Sequence, residues 1–226
     1  MRHSDESAPK LVGMLRYAIT GRAGYAGNPA ERLEAVVRDA GRWAAAGLDF
    51  IQIREKDLTA GELAELTCRV MSAVRAVAGA TRVLVNSRAD VAAATGADGV
   101  HLTSEAGELT PQQVREVFRA AGRGLPVVSI SCHRLEKVRR ASALEVDSIL
   151  FGPLFGKTVN GAEVVAGSGL EVLGEACRAA GSTKVLALGG ITPKRIAECV
   201  AAGAAGVAGI RLFQGRGADD SISWQI

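Results

Sequence analysis

Eight short apolar runs, each followed by a longer amphipathic or small-residue stretch, recur along this 226-residue chain from Met14 almost to its end. Runs of this length, predominantly apolar and rich in β-branched residues, read as buried parallel strands covered by crossover helices. The runs are Met14–Ile19, Phe50–Arg54, Val83–Asn86, Gly99–Leu102, Val127–Ser131, Ser148–Gly152, Lys184–Leu188 and Gly206–Ile210. Helical periodicity falls at Arg32–Ala46, Gly61–Val77, Ala89–Thr95, Pro111–Ala121, Leu135–Leu144, Leu170–Ala180 and Pro193–Ala202. Thr110 before Pro111 and Thr192 before Pro193 place a capping hydroxyl ahead of a proline at the first helical position. Eight such units without an intervening linker predict a single-domain α/β fold, a (β/α)8 TIM barrel over residues 14–226, preceded by a polar extension at 1–13. An open doubly wound sheet is the alternative, but no GxGxxG follows the first run. After Ile210 too little chain remains for a full eighth helix, so a short or frayed one is expected, with Trp224 as an anchor.

Composition supports this and excludes several classes. Hydrophobic residues make up 48% and charged residues 23%, as in a globular protein with a large core. The net charge of +3, from 27 basic against 24 acidic residues, lacks the basic excess of a nucleic-acid binder. Glycine, at 27 residues, exceeds the usual roughly 7%, and glycines in Thr95-Gly96-Ala97-Asp98-Gly99 and Ala202-Gly203-Ala204-Ala205-Gly206 fit helix-to-strand turns. Cys68, Cys132, Cys177 and Cys199 form no CxxC pair, so free thiols in a reducing cytosol are expected, without structural zinc or disulfides. No signal peptide or membrane-length apolar stretch is visible, and the expected location is cytoplasmic with no membrane partner.

In a barrel of this kind the active site lies at the carboxyl ends of the strands. The second run ends in Gln52-Ile53-Arg54-Glu55-Lys56, where alternation puts Gln52 and Arg54 on one side. A cation there faces a ligand or pairs with an acid such as Glu55, and Lys56 adds a second positive charge. Asn86, closing the third run, either hydrogen-bonds a heterocycle or caps the next helix. His101 in the fourth run and His133 after the fifth are two of only three histidines. His133 is the stronger candidate for acid–base work, while Cys132 beside it reads as a packing residue. Gly189 and Gly190 after the seventh run, with Ile210 and Arg211 after the eighth, stand where barrels hold phosphate on backbone N–H groups. The Gly152–Lys157 stretch fits a loop moving over the site, and Arg211 and Lys157 either reach the ligand or stay in solvent.

These residues resemble the thiamine-phosphate synthase/TenI superfamily. The resemblance is carried by Tyr17 to Thr20, Gln52 to Lys56, Asn86 with Arg88 and Asp90, Gly96 to Leu102, Cys132 to Glu136, Phe151 to Phe155 and Leu188 to Pro193, in family order. The synthase branch implies Mg2+ and an aspartate directly after the asparagine of the third strand, where this chain has Ser87. A second family aspartate, beyond the fourth-strand histidine, is replaced within Thr103-Ser104-Glu105-Ala106, leaving Glu105 or Glu108 as substitutes. The Thr-x-Thr-Lys run after the sixth strand is also missing. The resemblance therefore points to the TenI-like branch, which isomerises a thiazole carboxylate phosphate without metal. It implies His133 as proton carrier, Arg54 against the substrate carboxylate, Gln52, Lys56, Asn86 and His101 around the substrate, and Gly189 and Gly190 on the phosphate. On this reading no cofactor and no metal site are expected, and the partner is a small-molecule phosphate, with a homo-oligomer allowed. A divergent synthase using Mg2+ and a phosphate-binding regulator without turnover are the alternatives.

Overall fold

In the computed structural model, residues 13–77, 79–159 and 162–214 are described, with backbone alone for 157–159 and 162–165. The strands are β1 (Leu15–Ile19), β2 (Phe50–Ile53), β3 (Arg82–Asn86), β4 (Gly99–Thr103), β5 (Val127–Cys132), β6 (Ser148–Phe151), β7 (Lys157–Val159), β8 (Ala162–Val165), β9 (Lys184–Leu188) and β10 (Gly206–Gly209). Eight of them close a parallel barrel in the order β1-β10-β9-β6-β5-β4-β3-β2, as the eight runs predict. Around it lie α1 (Pro29–Ala45), α2 (Ala60–Arg75), α3 (Ala89–Thr95), α4 (Pro111–Ala120), α5 (Leu135–Ser142), α6 (Gly169–Ala179) and α7 (Ile196–Ala201).

Each strand buries both faces. Outward residues such as Ile51, Val83, Val100, Val128, Ile149 and Val185 pack under the helices. A smaller inner cluster of Tyr17, Ile19, Leu150, Leu186 and Ala208 fills the barrel itself, so the interior is a packed core and a ligand must bind at its mouth. Burying each large aliphatic side chain is worth about 1.5–3 kcal/mol.

An aspartate just before β2, β4 and β6 stitches the bottom of the barrel. Asp49, Asp98 and Asp147 accept the backbone N–H of Arg16, Val83 and Val128 at 2.8, 2.8 and 2.7 Å. In return their own N–H groups donate to the carbonyls of the same three residues. Each carboxylate thus satisfies an amide at the start of a neighbouring strand, and Asp98 also draws Arg75 and Arg82. Asp98→Ala is expected to lower stability by about 1.5–3 kcal/mol, the cost of leaving a buried donor unpaired. Asp98→Asn, which keeps an acceptor, should lose less. Urea midpoints measure both, and an unchanged midpoint for the alanine variant would contradict the role.

Several boundaries differ from the sequence expectation. Helix α1 starts at Pro29 instead of Arg32, because Asn28 and Glu31 form a reciprocal capping box ahead of the first apolar turn. Thr110 caps α4 as expected, but Thr192 makes no side-chain cap; a 3-10 turn at Pro193–Arg195 leads into a helix of six residues. The segment after β6, read as an open loop, contains the antiparallel pair β7–β8. Its start is pinned to β9 by Leu154 N–H on Leu188 O (2.9 Å) and Phe155 N–H on Gly189 O (3.1 Å). Arg195 stacks over the Phe155 ring at 4.0 Å. The Trp43 indole donates to Phe213 O at 3.1 Å, tying the last described turn to α1. The extension at 1–12, the expected final helix and Trp224 lie outside the described residues. No helix among those described is long and apolar enough to cross a membrane.

Candidate active site

At the β1–β2 mouth, Thr20 donates to Glu55 at 2.7 Å and accepts the backbone N–H of Arg54 at 2.9 Å. Glu55, 7% exposed, is met by the backbone N–H and guanidinium of Arg22, which also pairs with Asp57. The plain alternative of an Arg54–Glu55 bridge is therefore not what forms. Arg22 takes the acid, and the half-buried Arg54 guanidinium has no ion pair among the described residues. An unpaired cation at a barrel mouth is a ready partner for an anionic ligand. Lys56 is exposed at the rim of a cavity of about 320 Å³ that also touches Asn86 and Ser87.

Side chains from β2, β3 and β4 form the next chain of contacts. Gln52 is buried and its amide donates to Asn86 Oδ1 at 2.8 Å, while its own Oε1 has no partner. Asn86 donates to Ser87 Oγ at 3.1 Å, so it is engaged in the mouth and does not cap α3. Ser87 donates to Glu108 Oε2 at 2.6 Å. The same oxygen receives the N–H and hydroxyl of Thr103 at 3.2 and 3.3 Å. An orphan acceptor such as Gln52 Oε1 is suited to a ligand donor.

His101 lies in the middle of β4, not at its end, and is 3% exposed. Its Nδ1 meets Ser129 Oγ at 2.7 Å and its Nε2 meets Ser131 Oγ at 2.8 Å, with Tyr17 Oη close to the first pair. Burial, then the nearby Arg54 charge, push its pKa down to about 3, so the ring stays neutral. Enclosed in this way, His101 is separated from the mouth by Ser131, and direct contact with a ligand is not open to it. Ser129 and Ser131 escaped the functional reading of the sequence, although their i, i+2 spacing in a strand was the available signal.

His133 follows β5 and is exposed, with Nδ1 hydrogen-bonded to the Gly152 carbonyl after β6. A carbonyl can only accept, so Nδ1 carries the proton and Nε2 of the neutral ring is left as a base. Cys132 is fully buried in the outer core and burial pushes its thiol up to about 11, in keeping with a packing role.

Across the mouth, Gly189, Gly190, Ile210 and Arg211 line a cavity of about 480 Å³. The N–H groups of Gly190, Ile191 and Arg211 donate to no carbonyl among the described residues, which leaves them for an anion. Ile210 turns its side chain to the inner core and Arg211 is exposed. The two glycines have a packing reason as well. Their φ values are +92° and +68°, and a Cβ would sit 2.7 Å from Pro153 Cα at Gly189 or from Phe155 Cβ at Gly190. The Lys157 side chain lies outside the described residues.

Among the described residues no preformed carboxylate cage for Mg2+ is built: Ser87 brings no carboxylate, Glu108 Oε2 receives three donors, and Glu108 Oε1 receives the Leu109 N–H at 3.3 Å. Glu105 turns outward to pair with Lys137 at 2.6 Å. No group of three or more His, Cys, Asp or Glu able to hold a metal occurs among the described residues. Mg2+ bound with a diphosphate needs one or two free carboxylates.

A family model described as thiamine monophosphate synthase matches residues 16–213. A putative thiamine-phosphate synthase of Geobacter sulfurreducens is 40% identical over 169 residues, covering 73% of this chain and 72% of its own. The putative thiamine-phosphate synthase 2 of Aquifex aeolicus is 35% identical over 197 residues, covering 87% and 96%. Among solved structures, the thiamine phosphate pyrophosphorylase of Pyrococcus furiosus has a TM-score of 0.70 at 24% identity, covering 88% of this chain and 86% of that one. That last likeness concerns the fold.

Proposed function

The chain belongs to the thiamine monophosphate synthase family, and from that premise we propose that this enzyme of thiamine biosynthesis isomerises a thiazole carboxylate phosphate to its aromatic form by proton transfer at His133. The observation that carries this reading is the imidazole itself. Its Nδ1–H is committed to Gly152 O, leaving Nε2 as a base at the mouth. Arg54 pairs with the substrate carboxylate, which holds the reacting ring against that base. The N–H groups of Gly190, Ile191 and Arg211 receive the phosphate. His133 Nε2 takes a proton from one ring position, becomes imidazolium, and returns the proton to another, so substrate and product have the same composition.

A second reading has its own support. The relatives are named as synthases, which favours a transferase that joins a pyrimidine diphosphate to a thiazole phosphate. Supplying the thiazole carboxylate phosphate and the pyrimidine diphosphate together, with and without Mg2+, separates the two. The isomerase is expected to form the aromatic product equally in both conditions and to release no diphosphate. Mn2+ added to the ligand-free protein should stay unbound by electron paramagnetic resonance. Metal-dependent diphosphate release would overturn the isomerase in favour of the synthase.

A further inference from the structure

Within the barrel, below the mouth, three polar groups from three strands meet out of contact with solvent. Tyr17 of β1 and Ser129 of β5 are 0% exposed, and His101 of β4 is 3% exposed. Tyr17 Oη lies 3.0 Å from Ser129 Oγ and 3.3 Å from His101 Nδ1, and Ser129 Oγ lies 2.7 Å from the same nitrogen. On the far side of the ring, Nε2 is 2.8 Å from Ser131 Oγ, which is half-buried toward the mouth.

The proton count of this triangle has one satisfactory solution. Tyr17 keeps its phenolic proton, because burial raises its pKa well above the ordinary value. The two hydroxyls bring two protons, and no other acceptor lies within reach of either among the described residues. If Tyr17 donates to Ser129, Ser129 must donate to Nδ1. If Ser129 donates to Tyr17, Tyr17 must donate to Nδ1. A proton on Nδ1 would make three donors among three atoms with no free acceptor, stranding one of them in the core. Nδ1 is therefore bare, and the neutral ring carries its proton on Nε2. That N–H points at Ser131 Oγ, so the Ser131 hydroxyl accepts there and its own proton is turned away from the ring.

From this geometry we propose that Tyr17 and Ser129 are positioning residues that fix His101 in its Nε2–H form, so that Ser131 offers its hydroxyl proton to an acceptor oxygen of the bound substrate. The internal part of the relay is a property of the ligand-free protein. The last link rests on the substrate reading above and specifies the chemistry expected there, a phosphate or carboxylate oxygen next to Ser131.

Histidine-selective 15N labelling of the full chain, read through long-range proton–nitrogen correlations at neutral pH, tests the internal part without any substrate. His101 is expected to show a bare Nδ1 and a protonated Nε2. In the double variant Tyr17→Phe, Ser129→Ala, which stays close to the original shapes, that single form should give way to a mixture or to the Nδ1–H form. A wild-type ring with its proton on Nδ1, or a double variant that keeps an unmixed Nε2–H ring, would overturn the positioning role. Kinetics test the last link. Ser131→Ala should raise KM about tenfold with a smaller change in kcat, the double variant should do part of the same, and the triple variant should be no worse than Ser131→Ala alone. Independent, multiplying losses would overturn the relay. An unchanged KM in Ser131→Ala would remove the substrate link only, since the product assay tests the isomerase reading separately.

Discussion

His133→Ala is expected to slow aromatisation by about 10²–10⁴-fold, the usual contribution of a positioned general acid or base. The ring is exposed and its one hydrogen bond among the described residues is to the Gly152 carbonyl. Its removal should therefore leave thermal stability nearly unchanged, within about 0.5 kcal/mol as for most surface substitutions. That separation makes the result interpretable, because a loss of rate cannot be assigned to unfolding. Two further outcomes belong to a proton carrier and not to a steric prop. Added imidazole should restore part of the rate in the alanine variant. The limb of the pH–rate profile that reports the base should vanish from it. Phosphate affinity, which the proposed function assigns to backbone groups after β9 and β10, should stay as in the parent. Turnover within twofold of the parent would remove His133 from the mechanism.

Arg54→Ala should cost about 2–4 kcal/mol of substrate binding, the range for hydrogen bonds to charged groups away from bulk water. In kcat/KM that is roughly a 30- to 700-fold loss, with most of it in KM. The physical reason is the charge distribution at the β1–β2 mouth. Glu55 is compensated by Thr20 and Arg22, so Arg54 has no acid to satisfy and its fork is left for a carboxylate. Arg54→Lys keeps the charge without the paired donors and should fall between the two. Lys56→Ala, on the exposed rim, should change kcat/KM by less than about threefold, in line with the low value of exposed charges. Folding stability should not fall in Arg54→Ala, because no ion-pair partner among the described residues is orphaned. An Arg54→Ala enzyme with unaltered KM would mean that the substrate carboxylate is bound elsewhere.

Much of the barrel is legible in the sequence because its signals are local. A strand covered on both faces is mostly apolar at successive positions, and the eight runs show it, with Gln52, His101 and Ser129 as buried polar exceptions. The pair β7–β8 escapes because three and four residues, lying outside the barrel and bearing Lys157, Thr158 and Glu163, carry no comparable run. The start of α1 is written in Asn28 and Glu31, a polar cap that precedes the apolar periodicity used to find the helix. Site residues are legible only as positions. Strand alternation says which side chains face the mouth, and Gln52 and Arg54 fall on one side for that reason.

What the sequence determined by itself is therefore the closed parallel barrel and the end of it where chemistry can occur, since both follow from short-range periodicity. Tertiary structure alone decided which polar groups are already spent. Ser129 and Tyr17 meet across 112 residues, Glu55 and Arg22 across 33, and Ser87 and Glu108 across 21. Those pairings are set by barrel closure and strand stagger, which no local pattern encodes. The Glu55–Arg22 pairing leaves Arg54 without an ion pair among the described residues, and Ser87 and Thr103 take up one oxygen of Glu108.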